Sequence, residues 1–232
     1  MTEALGGWGE LAAALTLFLA SHAIPARPPV RQRLIAIAGA RAYLLVYSAI
    51  SLLLLGWLFI ASASAPFVEL WAFQDWQRLV PAIAMPFACV LIVFALTSPN
   101  PLSLAIGWQR RFDPQHPGIA GVVRHPVLWA ALVWSVAHIV PNGDVAHLIL
   151  FGTFAMLSIG GMMILDRRAR RRLGPDAWNS LTQRTSNLPL LALRQGWRPR
   201  PGAGDLLRLC GAAALYAALL VTHPLFAGVA VF

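Results

Sequence analysis

Two histidines lie inside stretches of the chain that are otherwise apolar. His22 stands in "LFLASHAIPA", before the proline that ends its stretch, and His138 stands in "LVWSVAHIVPNGD", before a tight turn. Trp134 and Ser135 share the His138 face if this segment is a helix. Neutral imidazole is the commonest nitrogen ligand of transition metals and also binds haem iron. The pattern indicates either a cofactor site or two interfacial histidines, of which His22 bonds a backbone carbonyl and His138 lies beside a tryptophan belt.

A third histidine belongs to a different part of the same segment. His125 follows Arg124 and precedes Pro126, and proline favours the first turn of a helix. We therefore expect Arg124 and His125 at the cytoplasmic surface, where a helix begins. His125 and His138 would lie roughly 20 Å apart along that helix and point to different sides. The two histidines cannot share one metal ion.

The composition places these residues in a membrane protein. The chain of 232 residues is 58% hydrophobic and 12% charged, whereas soluble proteins have about 25% charged residues. Six stretches are long enough to cross about 30 Å of hydrocarbon as helices. They lie near residues 7–24, 42–62, 79–97, 126–141, 146–165 and 207–229.

The arginines predict how these helices cross the membrane. All 18 basic residues are arginine, and every one except Arg78 lies in or beside an odd-numbered connection. The positive-inside rule places these connections in the cytoplasm. We therefore predict an all-α, multi-pass helix bundle in a bacterial inner membrane, with about six transmembrane helices and both termini in the periplasm.

The chain shows no internal repeat, which predicts a single transmembrane domain over residues 1–232 with an Arg-rich cytoplasmic loop at about 166–206. A basic cluster can bind nucleic acid by releasing counterions. Arginines that flank a membrane helix are instead typical of topology signals and of contact with anionic lipid headgroups. We expect membrane lipid as a partner and no nucleic acid. Cys89 and Cys210 lack a CxxC or CxxCH context, which argues against a disulfide framework and covalent c-type haem.

These pieces together resemble the NnrU family, which includes bacterial proteins associated with denitrification and the plant zeta-carotene isomerase. The resemblance runs over nearly the whole chain. It is carried by "SHAIPA", "ARAYLLVYSAISL", "GIAGVVRHP", "LVWSVAHIVPNGD", "DRRARRRLGPDAWNSLTQRTSNLP" and "THPLFAG". Each piece is short, and their order and spacing make the signal specific.

The resemblance implies a cofactor and its ligands. In the plant isomerase, two histidines hold haem b, and their positions correspond to His22 and His138 here. Trp134 and Ser135 would then lie beside the cofactor. Plant members have a cysteine at the position of Ser135, which is proposed to exchange with a histidine when the iron changes redox state. A serine hydroxyl is a poor soft ligand, so this chain departs from the plant pattern at the residue that such an exchange requires.

A second resemblance is to small membrane methyltransferases that modify isoprenylcysteine or phospholipid headgroups. They share "RHP", here Arg124, His125 and Pro126, followed after a helical hairpin by an acidic pair. Only Asp166 remains of that pair, and Trp178 occupies the place of a later tyrosine. This likeness implies that Arg124, His125 and Asp166 are candidate catalytic residues that hold S-adenosylmethionine.

Three hypotheses follow. The first is a haem b protein that acts in redox or isomerase chemistry on a lipophilic polyene such as a carotenoid, or in nitrogen-oxide metabolism during denitrification. The second is a methyltransferase that uses S-adenosylmethionine on a lipophilic acceptor. The third is a non-enzymatic membrane accessory factor, since the sequence shows no nucleophile with a base and an orienting group.

Overall fold

The computed structural model describes residues 2–25, 27–103 and 112–229, and the regular secondary structure in this part of the chain is helical. One isolated bridge between Glu69 and Asp144 is the only β pairing in these ranges. The α-helices are α1 (Thr2–Ala23), α2 (Pro28–Ala38), α3 (Ala40–Ser64), α4 (Leu79–Thr97), α5 (Ile119–Val122), α6 (Pro126–Ile139), α7 (Val145–Leu173), α8 (Pro175–Thr182) and α9 (Asp205–Ala227). Short 3₁₀ helices cover Asp75–Arg78 and Leu191–Gln195.

Four of the described helices are long and apolar enough to cross a membrane: α3, α7, α9, and α4 together with the 3₁₀ turn before it. The pair formed by α1 and α2 also passes this test, but it is bent by 81°, so the total is four or five. α6 is apolar and has 14 residues, which gives it a length of about 21 Å. The structure confirms an all-helical chain with several apolar spans. The count of six and the periplasmic termini stay predictions.

The described chain clusters into two units. Unit 1 comprises Met1–Ala72 and Gly143–Leu150, and unit 2 comprises Phe73–Asn142 and Phe151–Phe232. In unit 1, α1 packs against α3 through buried apolar residues that include Phe18, Leu58 and Ala61. The Arg-containing helix α2, where the sequence predicted only a connection, buries no residue. The single transmembrane domain stays a prediction.

Unit 2 is built on α4, which packs against α6 and α9. The segment after α8 is tied to α5 by a hydrogen bond from the Leu190 amide to the Val122 carbonyl, 2.9 Å long. Trp197 lies so close to Gly121 that a side chain at that position would overlap the indole ring. This close approach needs a residue without Cβ, and it fixes the 188–197 segment beside the start of α6.

The stretch predicted as an Arg-rich loop is mostly structured. α7 continues through the arginines to Leu173, and α8 begins after the turn at Gly174, whose φ is +78°. Arginine is a good helix former, which explains why the helix does not stop where its apolar run stops. The turn needs a positive φ that glycine adopts without strain.

Candidate functional site

His22 lies in the last turn of α1, and its own helix holds the imidazole. Its Nδ1 is 2.8 Å from the carbonyl oxygen of Phe18, one turn earlier. The Phe18 and Tyr47 ring centroids lie 4.3 and 6.1 Å from that of the imidazole. Because a carbonyl oxygen only accepts hydrogen bonds, Nδ1 carries the proton. The neutral ring therefore has its lone pair on Nε2, which a metal can accept.

His138 lies in the last turn of α6 and repeats this arrangement. Its Nδ1 is 2.8 Å from the carbonyl oxygen of Trp134, again one turn earlier. The Trp134 and Phe151 ring centroids lie 5.6 and 5.4 Å from that of the imidazole. The same reasoning places the proton on Nδ1 and the lone pair on Nε2. His138 is thus held in an aromatic environment with one ring nitrogen available as a ligand.

Ser135 and Trp134 were predicted to lie beside the cofactor. Ser135 is fully buried, and its hydroxyl donates a hydrogen bond of 2.6 Å to the Ala131 carbonyl of its own helix. The Trp134 ring makes edge contacts with Phe151 and Phe154. The Ser135 proton is committed to the backbone, whereas Trp134 forms part of the aromatic wall of the His138 ring.

His22 belongs to unit 1 and His138 to unit 2, and each is described within its own unit. The prediction that the two imidazoles hold one haem iron therefore stays a prediction. No group of three or more His, Cys, Asp or Glu side chains in the described ranges could hold a metal ion. A haem site does not require such a group, because the porphyrin supplies four of the ligands and the protein supplies only the axial ones.

Three further histidines in the described ranges also bond through Nδ1. His116 pairs with Asp113 and His147 pairs with Asp144, both at 2.7 Å. The Nδ1 of His223 lies 2.7 Å from the carbonyl oxygen of Val229, and the Phe226 ring centroid lies 5.3 Å from the imidazole. Fixation of Nδ1 and an aromatic neighbour are therefore not confined to His22 and His138. What these two share is an acceptor carbonyl one turn earlier in their own helix.

A second group of polar side chains joins α6, α7 and the segment after α8. We call Arg124, His125, Asp166, Thr185 and Asn187 the Arg–Asp cluster. The Asp166 carboxylate accepts hydrogen bonds from Arg124 Nη1 at 2.6 Å, His125 Nε2 at 2.9 Å and Asn187 Nδ2 at 2.6 Å. The Nε and Nη2 atoms of Arg124 donate to the hydroxyl and carbonyl oxygens of Thr185, both at 3.0 Å.

The Arg–Asp cluster is largely shielded from solvent. The side chains of Arg124, His125 and Asp166 are 13%, 0% and 18% exposed. The Trp178 ring centroid lies 5.2 Å from the Arg124 guanidinium carbon, within the range of a cation–π contact. Two buried atoms of the cluster, His125 Nδ1 and Asn187 Oδ1, have no hydrogen-bond partner within the described ranges. The structure thus brings together the three predicted residues of the second hypothesis.

Sequence reasoning missed Thr185 and Asn187, which lie 61 and 21 residues from their partners Arg124 and Asp166. Both stand in the "TSN" of the long segment that carried the family resemblance. Their polar side chains before "LP" were the available signal. A hydrogen bond across such separations depends on tertiary packing, so no local spacing rule would have paired them.

These features define a class. The secondary structure of the described residues is helical, and several long apolar helices make the chain a multi-pass membrane protein. The family model described as NnrU protein matches residues 10–231, so the chain belongs to the NnrU family. No curated protein and no solved structure matches the chain.

Proposed function

We propose that this NnrU family protein binds haem b in a bacterial inner membrane, with His22 and His138 as the axial ligands. One observation carries the proposal: in both residues Nδ1 is 2.8 Å from the carbonyl oxygen of the preceding turn. Histidines that bind metal commonly donate the other ring N–H to a carboxylate, a backbone carbonyl or water, which fixes the tautomer and the ring orientation. Each helix thus presents a lone pair on Nε2.

The surroundings of the two rings suit an apolar macrocycle. Phe18 and Tyr47 accompany His22, and Trp134 and Phe151 accompany His138. Aromatic walls exclude water and lower the local dielectric constant, which are levers that a protein uses to set a haem potential. Their size also favours contact with a planar ring system.

The proposal competes with a purely structural role for both histidines. A histidine at a membrane interface would form the same bond from Nδ1 to a carbonyl, and it would need no ligand on Nε2. The two roles differ in whether an iron is bound, which absorption spectroscopy measures directly. This difference decides the design of the experiment below.

Bound haem would supply either a Lewis-acidic iron that lowers the barrier to double-bond rotation in a polyene, or an electron carrier for nitrogen-oxide chemistry. The chain's contribution would be to hold two imidazoles in fixed tautomers and to keep water away from them. Exposed apolar side chains on the spanning helices, such as Leu44 and Leu45 of α3, suit contact with lipid. A lipophilic substrate could then enter from the membrane. A carotenoid-like polyene is the substrate class that this route favours.

The residues of the methyltransferase hypothesis do meet in the Arg–Asp cluster, yet they do not fit a grip on S-adenosylmethionine. All three guanidinium nitrogens of Arg124 and both oxygens of Asp166 already form hydrogen bonds, and His125 is fully buried. A bound cofactor would first have to break these contacts. The contacts instead suit a structural role, in which they hold α6, α7 and the 185–187 segment together.

The test is the absorption spectrum of the full chain, purified in detergent after expression with sufficient haem, before and after reduction with dithionite. We expect a b-type haem spectrum for the wild type and its loss in His22→Ala and His138→Ala. His116→Ala is the control, because His116 also bonds through Nδ1 but is half exposed beside Asp113. This variant should keep the spectrum.

Three other outcomes contradict the proposal. A colourless wild type that binds S-adenosylmethionine, and loses that binding in Asp166→Ala, would support the methyltransferase. A colourless wild type that binds neither molecule would favour the non-enzymatic accessory factor. A haem spectrum that survives both histidine substitutions would mean that other residues hold the iron.

A further inference from the structure

An open cavity lies at the end of α7. It has a volume of about 430 Å³, and Arg167, Arg170, Arg171, Gly174 and Pro175 line it. Arg167 and Arg171 are one helical turn apart and Arg170 lies between them, so the three side chains share one side of the helix. The turn at Gly174 and the first residue of α8, Pro175, complete its lining. The volume lies in the range of small-molecule sites.

The three arginines have no acidic partner in the described part of the chain. No carboxylate there lies within 4.0 Å of their guanidinium nitrogens. The neighbouring Asp166 is occupied by Arg124, His125 and Asn187. Three unpaired cations around one cavity repel one another, and an anion between them would remove that repulsion. Guanidinium groups also form bidentate hydrogen bonds with phosphate oxygens.

The position of the cavity along α7 indicates which molecule supplies the anion. The helix rises about 30 Å from Val145 to Leu165, which matches the hydrocarbon thickness of a bilayer. The first polar side chain beyond this run is Asp166, and Arg167 follows immediately. The cavity therefore lies at the level of the lipid headgroups, and its arginines are exposed.

We propose that this cavity binds the phosphate of an anionic phospholipid headgroup, held by Arg167, Arg170 and Arg171. Its open form admits a headgroup whose acyl chains stay in the bilayer. A headgroup with net negative charge would neutralise part of the cluster, whereas a choline headgroup carries its own cation and would gain less. The site shares no residue with the Arg–Asp cluster or with the two proposed haem ligands, and it does not depend on haem binding.

The test is native mass spectrometry of the full chain in neutral detergent, with phosphatidylglycerol and phosphatidylcholine as probes. The first variant is the double substitution Arg167→Gln with Arg171→Gln. The matched control is Arg168→Gln with Arg172→Gln, which removes the same charge from the same two turns but from residues that do not line the cavity. Arg170→Gln is a second, milder variant in case the double variant does not fold.

We expect phosphatidylglycerol to bind on the order of tenfold or more weakly to the first double variant, a smaller loss in Arg170→Gln, and wild-type binding in the control. Equal losses in both double variants would overturn the proposal in favour of a diffuse basic surface. Equal binding of phosphatidylcholine would overturn it as well. Competition by inorganic phosphate at the concentration of the lipid would reassign the cavity to a free phosphate. The haem spectrum should be the same in every variant.

Discussion

His22 and His138 differ from His125 in what holds the imidazole. Each of the first two rings is held through Nδ1 by a carbonyl one turn earlier, and Nε2 takes no part in that bond. The His125 ring is held through Nε2 by Asp166, which is 41 residues away, and its buried Nδ1 has no hydrogen-bond partner among the described residues. The first arrangement orients an imidazole from within one helix, as the proposed haem ligands require. The second joins two helices and leaves no ring nitrogen in reach of solvent.

The comparison predicts two separable sets of effects. Substitutions in the Arg–Asp cluster should lower stability and leave haem binding intact in the folded protein. Substitutions of the two imidazoles should remove haem and cost less stability in the haem-free protein. The variants below probe this division, from the largest expected effect to the smallest.

Asp166→Ala should have the largest effect on stability. It leaves Arg124 and the fully buried His125 without their shared carboxylate, and breaking a buried ion pair costs about 3 kcal/mol or more. For a chain of this size, that lowers the Tm by roughly 6–12 °C. Thermal unfolding followed by tryptophan fluorescence measures the shift.

The control for this variant is Asp176→Ala, which removes an exposed acid from the first turn of α8 and should change the Tm little. The haem content per folded protein should match the wild type in both variants. If Asp166→Ala has the same Tm as the wild type, the cluster does not stabilise the fold. A ligand-binding role for Asp166 is then favoured instead.

Gly121→Ala tests the attachment of the segment that supplies Thr185 and Asn187. The new methyl group would overlap the Trp197 ring, and overpacking of this kind costs about 1–3 kcal/mol. Gly160→Ala in α7 is the control, since the space around its Cβ position is open and alanine favours the helix by about 1 kcal/mol. The two variants should shift the Tm in opposite directions. Shifts of the same sign would mean that Trp197 moves aside freely.

Ser135→Ala asks whether this hydroxyl takes part in the haem site. Its hydrogen bond runs to Ala131 within the same helix, so we expect a loss of no more than about 1 kcal/mol and an unchanged absorption spectrum. Resonance Raman spectra of the two proteins should superimpose. A shift in the iron–imidazole region would instead show that Ser135 contacts the cofactor or its ligand.

Asp113→Asn should have the smallest effect. The hydrogen bond from His116 holds the pKa of Asp113 below its usual range, so the carboxylate contributes stability above its unfolded pKa of about 3.9. That contribution is lost as the pH falls through the lowered pKa. We expect a barely measurable difference in Tm at pH 7 and none in strong acid. A growing difference on acidification would reverse the sign and contradict the assignment.

The helices were predictable to the extent that apolar runs define them. The predicted stretch 79–97 coincides with α4, and the stretch 42–62 falls within Ala40–Ser64. The prediction of 146–165 ended too early, because hydropathy stops at Asp166 while helix propensity continues through the arginines to Leu173. The sequence did not predict α2, because its arginines and two leading prolines are typical of a loop between membrane helices. Proline nevertheless suits the first turn of a helix.

The candidate sites divide in the same way. The hydrogen bonds that orient His22 and His138 span one turn, so the spacing of residues along a helix is enough to predict them. The partners of Arg124 and Asp166 come from the segment after α8, and only the folded chain brings them together. Family resemblance named three members of the cluster, yet it could not indicate which of their polar atoms bond to one another.

The most direct test of the haem proposal is an electron paramagnetic resonance spectrum of the oxidised protein, with His138→Gly and added imidazole. Two neutral imidazoles bound through Nε2 should give a low-spin, six-coordinate iron in the wild type. His138→Gly should convert it to a high-spin form, and free imidazole should restore the low-spin signal by filling the place of the missing ring. A wild-type signal that His138→Gly leaves unchanged would contradict the assignment of His138 as a ligand.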